Sequence, residues 1–139
     1  MSQRPTARLL LVVAVGGAAG AVARWAISEA FPVEGHDFPW PTFAINVAGS
    51  LLLALLPASR LVRRRRELAV GLGPGLLGGF TTLSAYSEQS RALLDAGRSG
   101  VALAYLLGTL AACLAAVAVG SHWTSARQRA VFAREGGDE

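Results

Sequence analysis

The sequence predicts an all-α integral membrane protein with four transmembrane helices, the third broken near its middle. Three observations carry this. Apolar residues make up 53% of the 139 residues, and mean hydropathy is +0.44, more apolar surface than a soluble domain of this length needs. They gather into four runs, at about 9–31, 41–59, 68–94 and 100–123, each long enough to cross a hydrocarbon core of about 30 Å. The positive charge is entirely arginine, with no lysine, and it collects between the runs. No room remains for a separate soluble domain, so residues 1–139 read as one membrane domain.

The opening MSQRPTARLLLVVAV has the outline of a signal peptide. Its apolar run continues through GGAAGAVAR without a convincing cleavage site, which predicts an uncleaved first helix. Gly16 and Gly20 stand at GxxxG spacing. Such spacing serves helix packing inside one subunit or an interface between subunits. Arg24, late in this span, either snorkels to the headgroups or sets a fixed positive charge beside an anion vestibule. The following loop carries Glu34, His36 and Asp37; His36 reads as a solvated histidine rather than a ligand, and Trp40 suits a membrane-interface anchor.

Pro41 is well placed at the start of the second helix. Asn46 is the informative residue of this span. A carboxamide in an apolar helix must find partners, as a bond to another helix or as a donor lining a pore. Gly49 and Ser50 behind it permit close packing. RLVRRRRE, from Arg60 to Glu67, ends the helix and reads as an orientation signal against anionic lipid.

The third run holds GLGPGLLGGFTTLSAYSEQSR, Gly71 to Arg91. Gly78-Gly79, Thr81-Thr82, Ser84, Ser87 and Glu88 are poor choices for a lipid-facing helix, because glycine weakens helix and hydroxyls compete for its backbone bonds. Irregular backbone at membrane depth is tolerated only inside protein or along a wet path. The stretch therefore predicts a functional break. In the fourth run Tyr105 and Thr109 share a helix face, and the lone Cys113 reads as a small packing residue. The polar residues after Trp123 predict a frayed tail.

Ten arginines fall on one side of the predicted topology: Arg4, Arg8, Arg60, Arg63 to Arg66, Arg127, Arg129 and Arg134. Only Arg91 and Arg98 fall on the other. This bias predicts a multi-pass protein of the cell (inner or plasma) membrane with both termini cytoplasmic. Basic charge so placed meets lipid and does not point to nucleic acid. Ser84 and Ser87 have no histidine beside them in sequence, and no metal-ligand cluster is spelled out, so the chain does not read as an enzyme. What remains in the spans is a set of neutral donors: Asn46, Thr81, Thr82, Ser84, Tyr86, Tyr105 and Thr109. Neutral donors without buried carboxylates suit a small anion shedding its water shell.

GGFTTLSAYS, with PTFAINVAGSLLL and the early GGAAGAVARW, resembles the Fluc (CrcB) family of fluoride channels over nearly the whole chain. The resemblance implies an antiparallel dimer with two fluoride pores and a structural sodium ion at its centre. It implies that Gly78 and Thr81 offer backbone carbonyls to sodium, that Asn46 and Ser84 line the fluoride path, and that Tyr105 and Thr109 form the fourth helix's share. Arg24 matches the family's first-span arginine, and Thr82 belongs to the same motif. Leu83 and Tyr86 stand where the family usually has two phenylalanines, and Gln89 stands where it usually has an acid, with Glu88 displaced by one. The implied function is passive, selective export of cytoplasmic fluoride, which reduces its toxicity.

Two alternatives accompany that reading. In one, the chain is a non-conducting or half-conducting subunit of a heterodimer, paired with an inverted paralogue that supplies the missing aromatics. The arginine bias and Leu83 favour this over a homodimer. In the other it is a small proton-coupled multidrug exporter, which needs a membrane-embedded carboxylate that the first span lacks before Glu29.

Overall fold

The computed structural model describes residues 7–135, with side chains as far as 126. Arg4 and the side chains of Arg127, Arg129 and Arg134 lie outside the described residues. Four helices are long and apolar enough to span a membrane: Ala7–Ala30, Trp40–Ala58, Arg66–Asp95 and Ser99–Ala126.

Helix α1 is Ala7–Ala30. It exposes Leu10, Leu11, Val15, Val22 and Trp25 and buries little beyond Leu9 and Gly20, the inverse of a water-soluble helix. Helix α2, Trp40–Leu55, has Pro41 in its first turn, where a missing N–H costs nothing. Pro57 tightens its end into a 3₁₀ turn, Leu56–Ala58. The arginine-rich connection is ordered as two short helices, α3 (Arg60–Arg64) and α4 (Arg66–Val70), hinged at an extended Arg65. Ser59 caps α3 by accepting the Val62 N–H, and Arg63 donates to the Pro57 carbonyl. Across the same end of the molecule, Arg8 pairs with Glu67 at 3.7 Å.

From α4 the chain enters a π-helical segment, Gly71–Leu77, with Pro74 inside it. Proline has no N–H to donate and its ring crowds the preceding turn, and a widened turn accommodates both. A short turn, α5 (Gly78–Phe80), follows. Thr81 and Thr82 are extended, at ψ 159° and 122°, before α6 runs Leu83–Asp95. Gly97, at φ +72°, closes the hairpin: its N–H bonds Leu94 and that of Arg98 bonds Leu93, an αL helix end. Helix α7 then runs Ser99–Glu135. It continues as helix past Trp123, where a frayed tail is expected from polarity. The sequence TSARQRAVFARE contains no glycine or proline, so helix propensity carries the turn-by-turn pattern beyond the apolar run.

Two seams hold these elements together. One joins α1 to the π-helical segment. A Cβ on Gly16 would collide with the Gly71 carbonyl oxygen and lie 3.0 Å from the Leu76 nitrogen. One on Gly20 would collide with the Leu76 carbonyl oxygen, and one on Gly79 with that of Gly17. Backbone meets backbone here, so the GxxxG spacing serves contact within the chain. The other seam joins α2 to α7. Thr124 fastens it by donating to the Ala54 carbonyl at 3.0 Å, and Gly120 makes room for Ala54. Near the opposite end, Leu93, Ala102 and Tyr105 form a small core flanked by Phe38, Phe43, Tyr86 and Val101.

A branched side chain cannot enter the first seam. Gly20→Val is expected to destabilise the protein by about 1–3 kcal/mol, the usual cost of overpacking. Gly108 faces open space, so Gly108→Ala is expected to stay within about 0.5 kcal/mol of the parent. Reversible unfolding in mixed micelles compares the two.

Candidate functional site

The site is built around the two extended residues. An amide at membrane depth must be paired, because lipid offers no water in its place. Asn46 of α2 supplies the pairing: its Nδ2 donates to the Thr82 carbonyl at 3.0 Å and its Oδ1 accepts the Thr82 N–H at 2.9 Å. A single side chain thus satisfies both backbone groups of Thr82, as a neighbouring β-strand would. Gly49, one turn further along α2, is buried. A Cβ there would strike the Thr81 methyl, so glycine lets α2 reach the extended stretch.

The diverted bonds have a consequence for the carbonyls. In a continuous helix the Thr82 N–H would bond the Gly78 carbonyl, and the Ala85 N–H would bond that of Thr81. Here the first goes to Asn46 Oδ1 and the second to Thr82 Oγ1, the cap of α6, at 3.1 Å. The Gly78 and Thr81 carbonyls are released from the ladder by side-chain oxygens that take their donors. Thr81's own hydroxyl donates back to Leu77 at 3.0 Å.

These residues border a groove of about 560 Å³ between α2, the third span and α7. Gly78, Thr81, Thr82, Leu83 and Tyr86 form one wall; Asn46 and Ser50 form another; Thr109 and Cys113 close it from α7. The wall is mainly hydrocarbon, with a few polar groups projecting, the usual composition of a small-ligand or ion site. Among the described residues, no group of three or more His, Cys, Asp or Glu stands close enough to hold a metal. A cation here would have to take uncharged oxygen.

The side chains expected in an ion path divide into three sets. Asn46, Thr82, Leu83, Tyr86 and Thr109 border the groove together with Gly78 and Thr81. Ser84 stands just behind Thr82, its hydroxyl 3.1 Å from Thr82 Oγ1. Tyr105 and Arg24 do not border the groove. Tyr105 is wholly buried behind Tyr86, with ring centroids 5.2 Å apart. Arg24 lies across the third span, where its Nε donates to the Gly79 carbonyl at 3.3 Å.

The donors also differ in whether they are engaged. Tyr86's hydroxyl donates to the Leu106 carbonyl at 2.7 Å and Tyr105's to Gln89 Oε1 at 2.8 Å, so only the Tyr86 ring faces the groove. Thr109 is 4% exposed, and its Oγ1 has no partner among the described residues. A buried hydroxyl left unpaired is costly, which makes it the group most in need of a ligand. Leu83 is 75% exposed.

Phe38 is the neighbour that motif reading passes over, and Gln89 is one that it marks without giving its partner, Tyr105. Gln89 shares a helical face with Tyr86 and Leu93 at three- and four-residue spacing, and that signal places it toward α7. Phe38 is a loop residue with no periodicity to mark it, yet its ring stands nearly perpendicular to that of Tyr105 at 5.3 Å. Glu88 lies outside the groove, paired with Arg91 at 2.7 Å; Arg91 also binds Asp95.

Because one carboxamide braces the extended stretch, Asn46→Leu is expected to cost about 1–2 kcal/mol, the range of interhelical hydrogen bonds in lipid. It is also expected to speed hydrogen exchange at the Thr82 amide. Asn46→Asp keeps the acceptor and sets a carboxylate oxygen against the Thr82 carbonyl, so it should destabilise at least as much. Exchange mass spectrometry with micellar unfolding measures both.

Sequence comparisons agree with this architecture. The family described as CrcB-like protein, Camphor Resistance (CrcB), matches residues 11–121. "Fluoride-specific ion channel FluC 1" of Streptomyces coelicolor is 42% identical over 122 residues, covering 82% of this chain and 75% of its own. "Fluoride-specific ion channel FluC" of Anaeromyxobacter dehalogenans is 44% identical over 110 residues, covering 77% and 87%. The protein of the same name from a Chelativorans species is 42% identical over 115 residues, covering 80% and 91%. With four helices able to span a membrane and relatives of this kind over most of its length, the chain is a multi-pass membrane protein that belongs to the CrcB family.

Proposed function

We propose that this chain is a subunit of a fluoride-selective channel that lets cytoplasmic fluoride leave passively, down its gradient. The observation that carries the reading is the groove itself: an extended backbone stretch braced by Asn46, facing a buried Thr109 hydroxyl that has no partner among the described residues. The names of the relatives support fluoride as the ion. A small anion entering the groove exchanges water for the remaining Asn46 N–H, the hydroxyls of Thr109 and Thr82, the latter backed by Ser84, and the ring of Tyr86. No group in the groove needs to change its charge for the ion to pass.

The groove is open on one side, and an inverted second protomer is the occupant we propose for that side. In such an antiparallel dimer the released carbonyls of Gly78 and Thr81 would hold a sodium ion with their counterparts. Uncharged oxygens freed from helical bonding fit a hard monovalent cation. Held there, the ion would supply fixed positive charge beside the anion path. Arg24, bonded to the neighbouring Gly79 carbonyl, adds a second positive charge to the same stretch. The arginine-rich end faces the cytoplasm in this arrangement, with both termini.

Leu83, exposed and bordering the groove, has no ring edge to present to an anion. Together with the one-sided arginines this favours a heterodimer with an inverted paralogue over a homodimer. An exporter driven by protons is the weaker reading, because Glu88 is tied to Arg91 away from the groove.

A fluoride electrode on proteoliposomes tests the proposal. Co-reconstitution with an inverted paralogue is expected to give fluoride efflux, and this chain alone little. Robust efflux from the chain alone would overturn the heterodimer and leave the channel. Silence in both preparations would overturn the channel. Replacing internal and external sodium by a bulky organic cation during assembly is expected to lower the yield of dimers.

A further inference from the structure

We infer that Phe38, in the loop between α1 and α2, is a positioning residue for the ion path: it fixes the ring of Tyr105, and through it the groove-lining ring of Tyr86. The inference rests on the channel reading given above. Among the described residues Tyr105 is the largest fully buried side chain; the Thr42 side chain hydrogen-bonds it, and three further groups hold it. Gln89 accepts its hydroxyl at 2.8 Å, Tyr86 packs on it at 5.2 Å, and Phe38 stands against it at 5.3 Å with the ring planes 84° apart. The first two are on α6. Phe38 is the ring that meets Tyr105 from the loop side.

Phe38 is itself held in place. Its ring packs on Trp40 at 4.5 Å and Phe43 at 5.6 Å, and its carbonyl accepts the Trp40 N–H at 2.8 Å. The preceding Asp37 lies 4.0 Å from Arg98, at the start of α7. Rings run from the loop to the groove in the order Phe38, Tyr105, Tyr86. Aromatic pairs of this kind prefer defined edge and offset geometries, so the orientation of the first constrains the third. Tyr86 is the member that borders the groove, and its hydroxyl is already bound to Leu106. Without the Phe38 ring, Tyr105 gains room to tilt toward the loop, and Tyr86 loses the surface against which it is set.

The other face of Phe38 borders an open cavity of about 510 Å³. Shortening the side chain therefore leaves no sealed void, and a folded variant is expected. Phe38→Leu keeps an apolar side chain and removes the ring; Phe38→Tyr keeps the ring. Both are reconstituted in whichever assembly conducts, and fluoride and chloride fluxes are recorded together. Loss of folded channels scales both fluxes alike, whereas a displaced groove wall changes their ratio.

Phe38→Leu is expected to lower the fluoride-over-chloride flux ratio roughly threefold to tenfold, the range that coupling within one aromatic pair supports. Phe38→Tyr is expected to return the ratio toward that of the parent. In a Tyr105→Leu background, Phe38→Leu is expected to change nothing further. An unchanged ratio in Phe38→Leu overturns the positioning role, as does an equal shift in Phe38→Leu and Phe38→Tyr. So does a Phe38→Leu effect that persists in full without the Tyr105 ring. Should Tyr105→Leu fail to fold, the contrast between the two Phe38 variants decides alone. A parent assembly that conducts no fluoride overturns the channel reading and this inference together; the Phe38 outcomes leave the channel standing.

Discussion

Lipid cannot hydrogen-bond a peptide group, and that constraint organises this molecule. A membrane helix can be interrupted only where another group takes over its amides. At Thr82 that group is the Asn46 carboxamide, which is both donor and acceptor. Few side chains could do this. A hydroxyl would have to donate and accept through a single oxygen, a carboxylate has no proton when ionised, and a charged head would need its own counterion. The position on α2 matters equally, because Gly49 brings the helix close enough for the amide to reach. Extended backbone, released carbonyls and the shape of the groove all follow from that one contact.

The same contact sorts the polar groups into structural and available ones. Asn46, Tyr86, Tyr105 and Thr81 each have at least one polar atom engaged with protein. Thr109 does not. A list of donors read from a sequence treats them alike, whereas only unengaged groups can replace the water around an ion at low cost. The groove therefore offers fewer free donors than its composition suggests.

Much of the fold was legible in the sequence because hydropathy is a one-dimensional signal. The four long apolar runs correspond to four long helices. Gly16 and Gly20 announced a close helix contact, though not its partner, which the structure identifies as the π-helical segment. Three features were not legible. The π-helical turn around Pro74 depends on how the chain accommodates a missing N–H within a packed span, and proline alone does not specify that. Phe38 acquires its role through a ring contact with a residue far along the chain. The continuation of α7 past Trp123 is hidden in the sequence because polarity there marks only the end of the apolar run, not the end of the helix. Within the site, Asn46 stood out because an amide in an apolar run demands a partner, but which backbone it would meet required the third dimension.

The glycine seam between α1 and the third span bears on how such a protein can move. Where main chains touch without intervening side chains, there are no rotamers to repack and no compressible layer between the rods. Sliding or tilting along that line would drive carbonyl oxygen into α-carbon at once. The first helix and the glycine-rich segment must then behave as one stiff strut. Any breathing of the molecule falls to contacts made through side chains, such as those around Leu93 and Tyr105.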